Sequence, residues 1–206
     1  MARDFGVAQI LDYLTQMDIK VAHVDRTKNI IELAFHGESG QWRLVIGTQQ
    51  SGPERKLMLI APHIGTVTNK KRLECLEALM AVNYSIAIGK FGLDLEDGEV
   101  RLEEAVPLAE QGISFEQFQL VFGAIVQTAS MYHSLLPRII YGHQSIQEAI
   151  QGCEHDFFQH ELSDWSSAST NEPLAKLGLA GDEEPGGLDV QEILAEVHRI
   201  FEQKKE

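Results

Sequence analysis

Four side chains late in the chain have the chemistry of metal ligands: Cys153, His155, Asp156 and His160. Zinc takes such thiolate, imidazole and carboxylate groups in tetrahedral sets. The spacing does not suit it. His155 and His160, five apart, fall on different faces of a helix. No second ligand pair lies nearby, so the cluster reads as a polar helix end and no metal or other cofactor is expected. Asp94, Glu96, Asp97, Gly98 and Glu99 have the composition of a calcium loop. Such a loop needs glycine at its sixth position and glutamate at its twelfth. Counted from Asp94, those positions hold Glu99 and Ala105. Gly89-Lys90 lacks the upstream glycine of a phosphate loop, and Phe91 stands where that loop has a hydroxyl residue. No nucleophile elbow and no His-Glu-x-x-His pair occur. The chain therefore reads as a non-enzyme.

Two further groups have simpler readings. Lys70-Lys71-Arg72 opens a helical pattern, where positive charge opposes the helix dipole. It suits an anion or acidic-peptide contact, this chain's own acidic tail included; a solvated basic turn is the plainer reading. The aromatic set Phe115, Phe118, Phe122 and Tyr132 recurs at helical spacing, as core residues do.

The elements that position these residues follow from periodicity. Asp4 can cap a first helix with the stripe Val7, Ile10, Leu11, Leu14 and Met17. Ile19 to Val24 reads as a strand, and residues 25–29 as a turn. Ile31, Leu33 and Phe35 alternate with polar or small neighbours, as do Trp42, Leu44 and Ile46. Gln49 to Glu54 reads as loop, and Leu57 to Ala61 as a short strand closed by Pro62. Asn69 can cap a second helix carrying Leu73, Leu76, Leu79 and Met80, with Gly89 as its stop. Two strands follow, Phe91 to Leu95 and Val100 to Leu102, joined by an Asp97-Gly98 turn of type I′. Ser114 and Gln117 form a capping box for a third helix, closed by Pro137. Ser145 and Glu148 form another, for a short helix with Ile146, Ala149 and Ile150. Strands linked as hairpins between helices predict a two-layer α+β fold.

Composition changes at Cys153. Residues 153–206 hold 13 acidic and 4 basic residues, against 18 and 13 in residues 1–152, and the whole chain of 206 residues carries −14. The predicted organisation is a folded domain over 1–152, an acidic linker over 153–187 and an amphipathic helix over 188–206. That last helix carries Val190, Ile193, Leu194, Val197 and Phe201 on one face, and a helix this short needs a surface to dock on. A surface so negative repels nucleic-acid phosphates and anionic membranes alike. The N-terminal residues do not form a secretory signal, and no apolar run is long enough to span a membrane. Two cysteines make no disulfide framework, so a reducing cytoplasm is the expected location.

One stretch adds a family. The run Asn83-Tyr84-Ser85, then Gly89-Lys90-Phe91-Gly92-Leu93-Asp94, then Asp97-Gly98-Glu99-Val100-Arg101-Leu102, with the Ser114-x-x-Gln117-Phe118 helix, resembles the bacterial YbjN-domain proteins over about residues 4–151. That family is described as a sensory-transduction regulator. The resemblance implies a fold similar to type III secretion chaperones: helix, three strands, helix, two strands, helix, in two layers. It also implies a homodimer with Leu73, Leu76, Met80, Phe91 and Leu93 at the interface. The chain departs from that pattern in having four candidate strands before the second helix, and in its tail. The expected function is a non-enzymatic, chaperone-like or regulatory protein-binding module with a protein or peptide client. The alternative is a regulator that binds a small molecule between helix and sheet.

Overall fold

The computed structural model describes residues 5–37 and 40–167. Its elements run α1 (Val7–Gln16), β1 (His23–Asp25), β2 (Ile30–Gly37), β3 (Gly40–Ser51), β4 (Glu54–Thr66), α2 (Arg72–Ser85), β5 (Lys90–Leu93), β6 (Glu99–Pro107), α3 (Phe115–Tyr132), α4 (Leu135–Ile140) and α5 (Ile146–Ser167). The six strands form one antiparallel sheet in the order β1-β2-β3-β4-β6-β5. The fold is two-layer α+β.

Alternation decides which face of the sheet is covered. Ile31, Leu33, Leu44, Ile46, Leu57, Leu59, Val100 and Leu102 are buried in one core with the helices. Their neighbours Glu32, Arg43, Met58, Ile60 and Arg101 lie on the other face, half-buried or exposed. An antiparallel sheet can leave one face to water in this way. Phe35 and Trp42, paired across β2 and β3, stack with ring centroids 4.2 Å apart.

The structure extends or moves several predicted elements. Residues 19–22 run mostly outside the sheet, and β1 begins only at His23. β3 and β4 are long, so the expected loop over 49–54 shrinks to Gly52-Pro53. Pro62 does not end β4. A change of register between Ala61 and Gly65 carries the strand past it, and a bulge is a site where a missing N–H is tolerated. Four strands therefore precede α2, one more than the chaperone pattern. The turn after β5 is not type I′. Asp94 N–H donates to the Glu99 carbonyl at 2.8 Å and Gly98 N–H to the Asp94 carbonyl at 3.0 Å. Of the turn residues only Gly98 has positive φ, at 79°, whereas type I′ needs two. The Asp94 and Asp97 carboxylates accept from the backbone N–H groups of Glu96 and Glu99.

The helices also differ from expectation. Asn69 does not cap α2; a single 3-10 turn over Asn69–Lys71 leads in, and no side chain caps the first turn. Pro137 closes nothing. It sits in the first turn of α4, where its missing N–H has no helical partner to lose. Leu135, Leu136 and Ile139 bury that helix. α5 runs on to Ser167, so residues 153–167 of the expected linker are helical. Ala149 and Cys153 are buried and Ile146, Ile150 and Phe157 pack on the core beside them. The final helix, 188–206, with Val190, Ile193, Leu194, Val197 and Phe201, lies outside the described residues.

Candidate functional site

Several of the described residues with chemical potential are occupied in building the fold. Cys153 is buried, 3.3 Å from the Ser134 hydroxyl. Burial pushes its thiol up from the ordinary value, and does the same to Cys75. A thiol so placed is a poor nucleophile and a poor metal ligand. Asp156 pairs with Arg138. The His160 side chain lies outside the described residues. Among the described residues, no group of three histidine, cysteine or acidic side chains gathers around a common point. Tyr132 donates to a Glu154 carboxylate oxygen at 3.0 Å, and burial together with that carboxylate pushes its hydroxyl far up. A shallow open depression lined by Pro53, Arg55, Leu108, Ala109 and Glu110 brings one cation and one anion together but encloses nothing.

The family-like run between α2 and β5 has a structural use. Asn83, on the last turn of α2, clamps the backbone of Phe91. Its side-chain oxygen accepts from Phe91 N–H at 2.7 Å, and its amide nitrogen donates to the Phe91 carbonyl at 2.9 Å. The Lys90 ammonium donates to the carbonyls of Asn83 and Ile86, at 3.0 and 2.6 Å, closing the helix C-terminus. Glu104 projects from the core face of β6 and accepts from Gly89 N–H at 2.6 Å. Gly89 is there because any larger residue would collide: a Cβ would lie 2.5 Å from Ile125 Cδ1, at a backbone φ of 81°. The motif is a clasp joining a helix to an edge strand.

That clasp fixes the orientation of α2. Cys75, Ala78, Leu79 and Val82 face the core. The opposite face carries Leu73, Leu76, Met80 and Tyr84 at helical spacing. Leu73 is 68% exposed, Met80 64% and Tyr84 85%, while Leu76 is half-buried. Of the residues the resemblance places at a dimer interface, Leu73 and Met80 point outward. Leu76 and Leu93 sit at the rim. Phe91 does not belong to the set: it is buried, edge-on to Tyr132 with ring centroids 6.5 Å apart. The period-two pattern of β5 places Phe91 on an apolar face without saying that the face is internal.

The N-terminal end of α2, opposite the clasp, carries the basic triplet. Lys71 pairs with Glu74 at 2.9 Å. Lys70 is exposed and makes no ion pair with any described residue. Arg72 Nε is buried with no hydrogen-bond partner. The outward stripe thus begins beside two cations whose charge the described residues do not neutralise. None of the described helices is long and apolar enough to cross a membrane.

Comparison with known proteins supplies a family. The model of the YbjN family, described as "Putative bacterial sensory transduction regulator", matches residues 7–136, more than half of the chain. One solved structure is described as "YbjN, a putative transcription regulator from E. coli". It is 15% identical, with a TM-score of 0.43, over 63% of this chain and 89% of that one. No curated protein matches.

Proposed function

Because the chain belongs to the YbjN family, whose description names a regulator and no enzyme, we propose that it is a regulatory module that acts by binding another protein through the outward face of α2. One observation carries this reading. Leu73 and Met80 stand two-thirds exposed on a helix whose other face is fully used. Water contact with such side chains is unfavourable by about 1.5–3 kcal/mol each relative to burial. Clustered apolar groups on one rigid element mark interaction sites rather than chance exposure. The chemistry is passive: the surface recognises an apolar stripe on a partner, and among the described residues none beside it is placed to activate a nucleophile or move a proton. A second copy of the chain, implied by the family resemblance, is one such partner.

The test is a photo-crosslinking amino acid placed at Leu73 or Met80 of the full chain in its native cell, with Arg43 on the sheet's open face as the control site. A discrete adduct with a second protein or a second copy, formed from the α2 sites and absent from the Arg43 site, supports the reading. Adducts confined to the chain itself, or the same adducts from Arg43, overturn it.

A further inference from the structure

The outward face of α2 has a candidate occupant within the same chain. We infer that residues 188–206 dock on it, with the acidic segment before them lying against the basic triplet. The inference takes the α2 surface proposed above as its receiving site and adds what covers it at rest.

Three features support the match. The first is spacing. The receiving row is Leu73, Leu76, Met80 and Tyr84, offsets of three, seven and eleven. The tail row is Val190, Ile193, Leu194, Val197 and Phe201, offsets of three, four, seven and eleven. The two rows share the offsets of three, seven and eleven, the spacing at which one helical stripe would meet another. The second is charge. Asp182, Glu183, Glu184, Asp189 and Glu192 precede or open the tail stripe. The cations at the start of the receiving stripe, the exposed Lys70 and the half-buried Arg72, have no ion-pair partner among the described residues. An acidic segment meeting that end supplies the counter-charge. The third is reach. α5 packs against α2, and it ends at Ser167. The 20 residues from 168 to 187 span about 25 Å as a coil, enough to return alongside. A tethered segment meets its site at an effective concentration on the order of millimolar, so an external partner must displace it. The tail then sets the threshold at which the module binds.

Methionine methyl resonances test this in the full chain. Met80 stands on the receiving face, while Met17 and Met131 are buried in the core and serve as controls. The double variant Val197→Glu with Phe201→Glu should shift the Met80 methyl signal toward that of a solvated methionine, leave Met17 and Met131 unmoved, and raise the fluorescence of an apolar probe dye severalfold. Lys70→Glu, at an exposed position, should move Met80 part of the way in the same direction. A Met80 signal that neither variant moves overturns the inference. A Met80 signal that moves on dilution and not with the tail variants assigns the face to a second copy. That result overturns tail docking and leaves the α2 interaction surface standing. Adducts from the cross-linking sites that stay within the chain, with Met80 responding to the tail, would do the reverse.

Discussion

Helices α2 and α3 lie on the same side of the same sheet, and they are used differently. α3 has 18 residues, nine of them buried, and begins with a capping box in which Ser114 and Gln117 satisfy each other's backbone N–H groups. α2 has 14 residues with four buried, and no side chain caps it. α3 is hydrophobic over most of its circumference because it runs between the sheet and other helices. Phe118 stacks on Phe122 and touches Tyr13, whose hydroxyl donates to the Ile113 carbonyl at 3.0 Å. α2 lies at the sheet's β5 edge and has core on one side only. The lesson is that apolar content alone does not separate a structural helix from an interaction helix; the number of faces already covered does.

The sharpest way to break that distinction is truncation on each helix. Phe118 is fully buried. Phe118→Ala should cost about 3–5 kcal/mol, from lost transfer energy and the cavity left behind. With the tail released by Val197→Glu and Phe201→Glu in the same chain, Met80→Ala and Leu73→Ala should change stability by less than about 0.5 kcal/mol, as exposed substitutions do. Urea denaturation of the three variants checks both halves. A cost above about 2 kcal/mol for Met80→Ala would mean that the outward face is already core.

Next in size is the clasp between the regions. Asn83→Ala leaves a half-buried N–H and C=O of Phe91 without their partners, and unmade bonds of that kind cost about 1–3 kcal/mol. The loss should be local. Amide exchange in β5 should quicken by more than tenfold while α3 amides change only with global stability. Uniform quickening would show that the edge strand and α3 open as one unit.

Smaller again is the difference at the helix starts. Ser114→Ala removes the side-chain half of the α3 box and should destabilise by about 1 kcal/mol. Asn69→Ala should do almost nothing, since the Asn69 side chain caps no helix.

These contrasts explain how much was legible in the sequence. The α3 box, the sheet's alternation and the Ser145–Glu148 start of α5 depend on neighbours a few residues apart, and the structure has all three. The continuation of α5 was also written in the chain, as Ile146, Ala149, Ile150, Cys153 and Phe157 at helical spacing. The acidic residues between them read as linker because they line the exposed side. α4 was hidden by Pro137, which breaks a helix interior but not a first turn. The inward and outward faces of α2 were not legible, since Leu79 and Met80 are equally apolar neighbours on opposite sides of a boundary that only packing defines. Local sequence reports that a residue can be buried; which neighbour covers it is a property of the assembled layers.

The last and smallest effect compares two first turns through their acids. Glu74 in α2 accepts from the Lys71 ammonium at 2.9 Å, and that bond is the main reason its carboxyl is held below the ordinary value. Glu148 in α5 accepts from the Ser145 hydroxyl at 2.7 Å and from Ser145 N–H at 2.8 Å, and these bonds lower it in turn, the hydroxyl more than the amide. Both acids titrate lower in the folded chain than in the unfolded one. Each therefore adds stability that is fully present above the unfolded value, 4.5 for glutamate, and lost as pH falls through the folded value. Both are solvent-facing, so the contributions are small. Their origins still separate them. The Glu74 partner is a charge, which salt screens, whereas the Glu148 partners are a neutral hydroxyl and an amide at contact distance. NMR titration at low and at molar salt should find the Glu74 carboxyl returning toward 4.5 at high salt and the Glu148 carboxyl holding most of its lowering. Equal salt responses would show that both first turns are governed by the net charge of the chain, and that the Lys71 contact does not distinguish α2 from the helices with true caps.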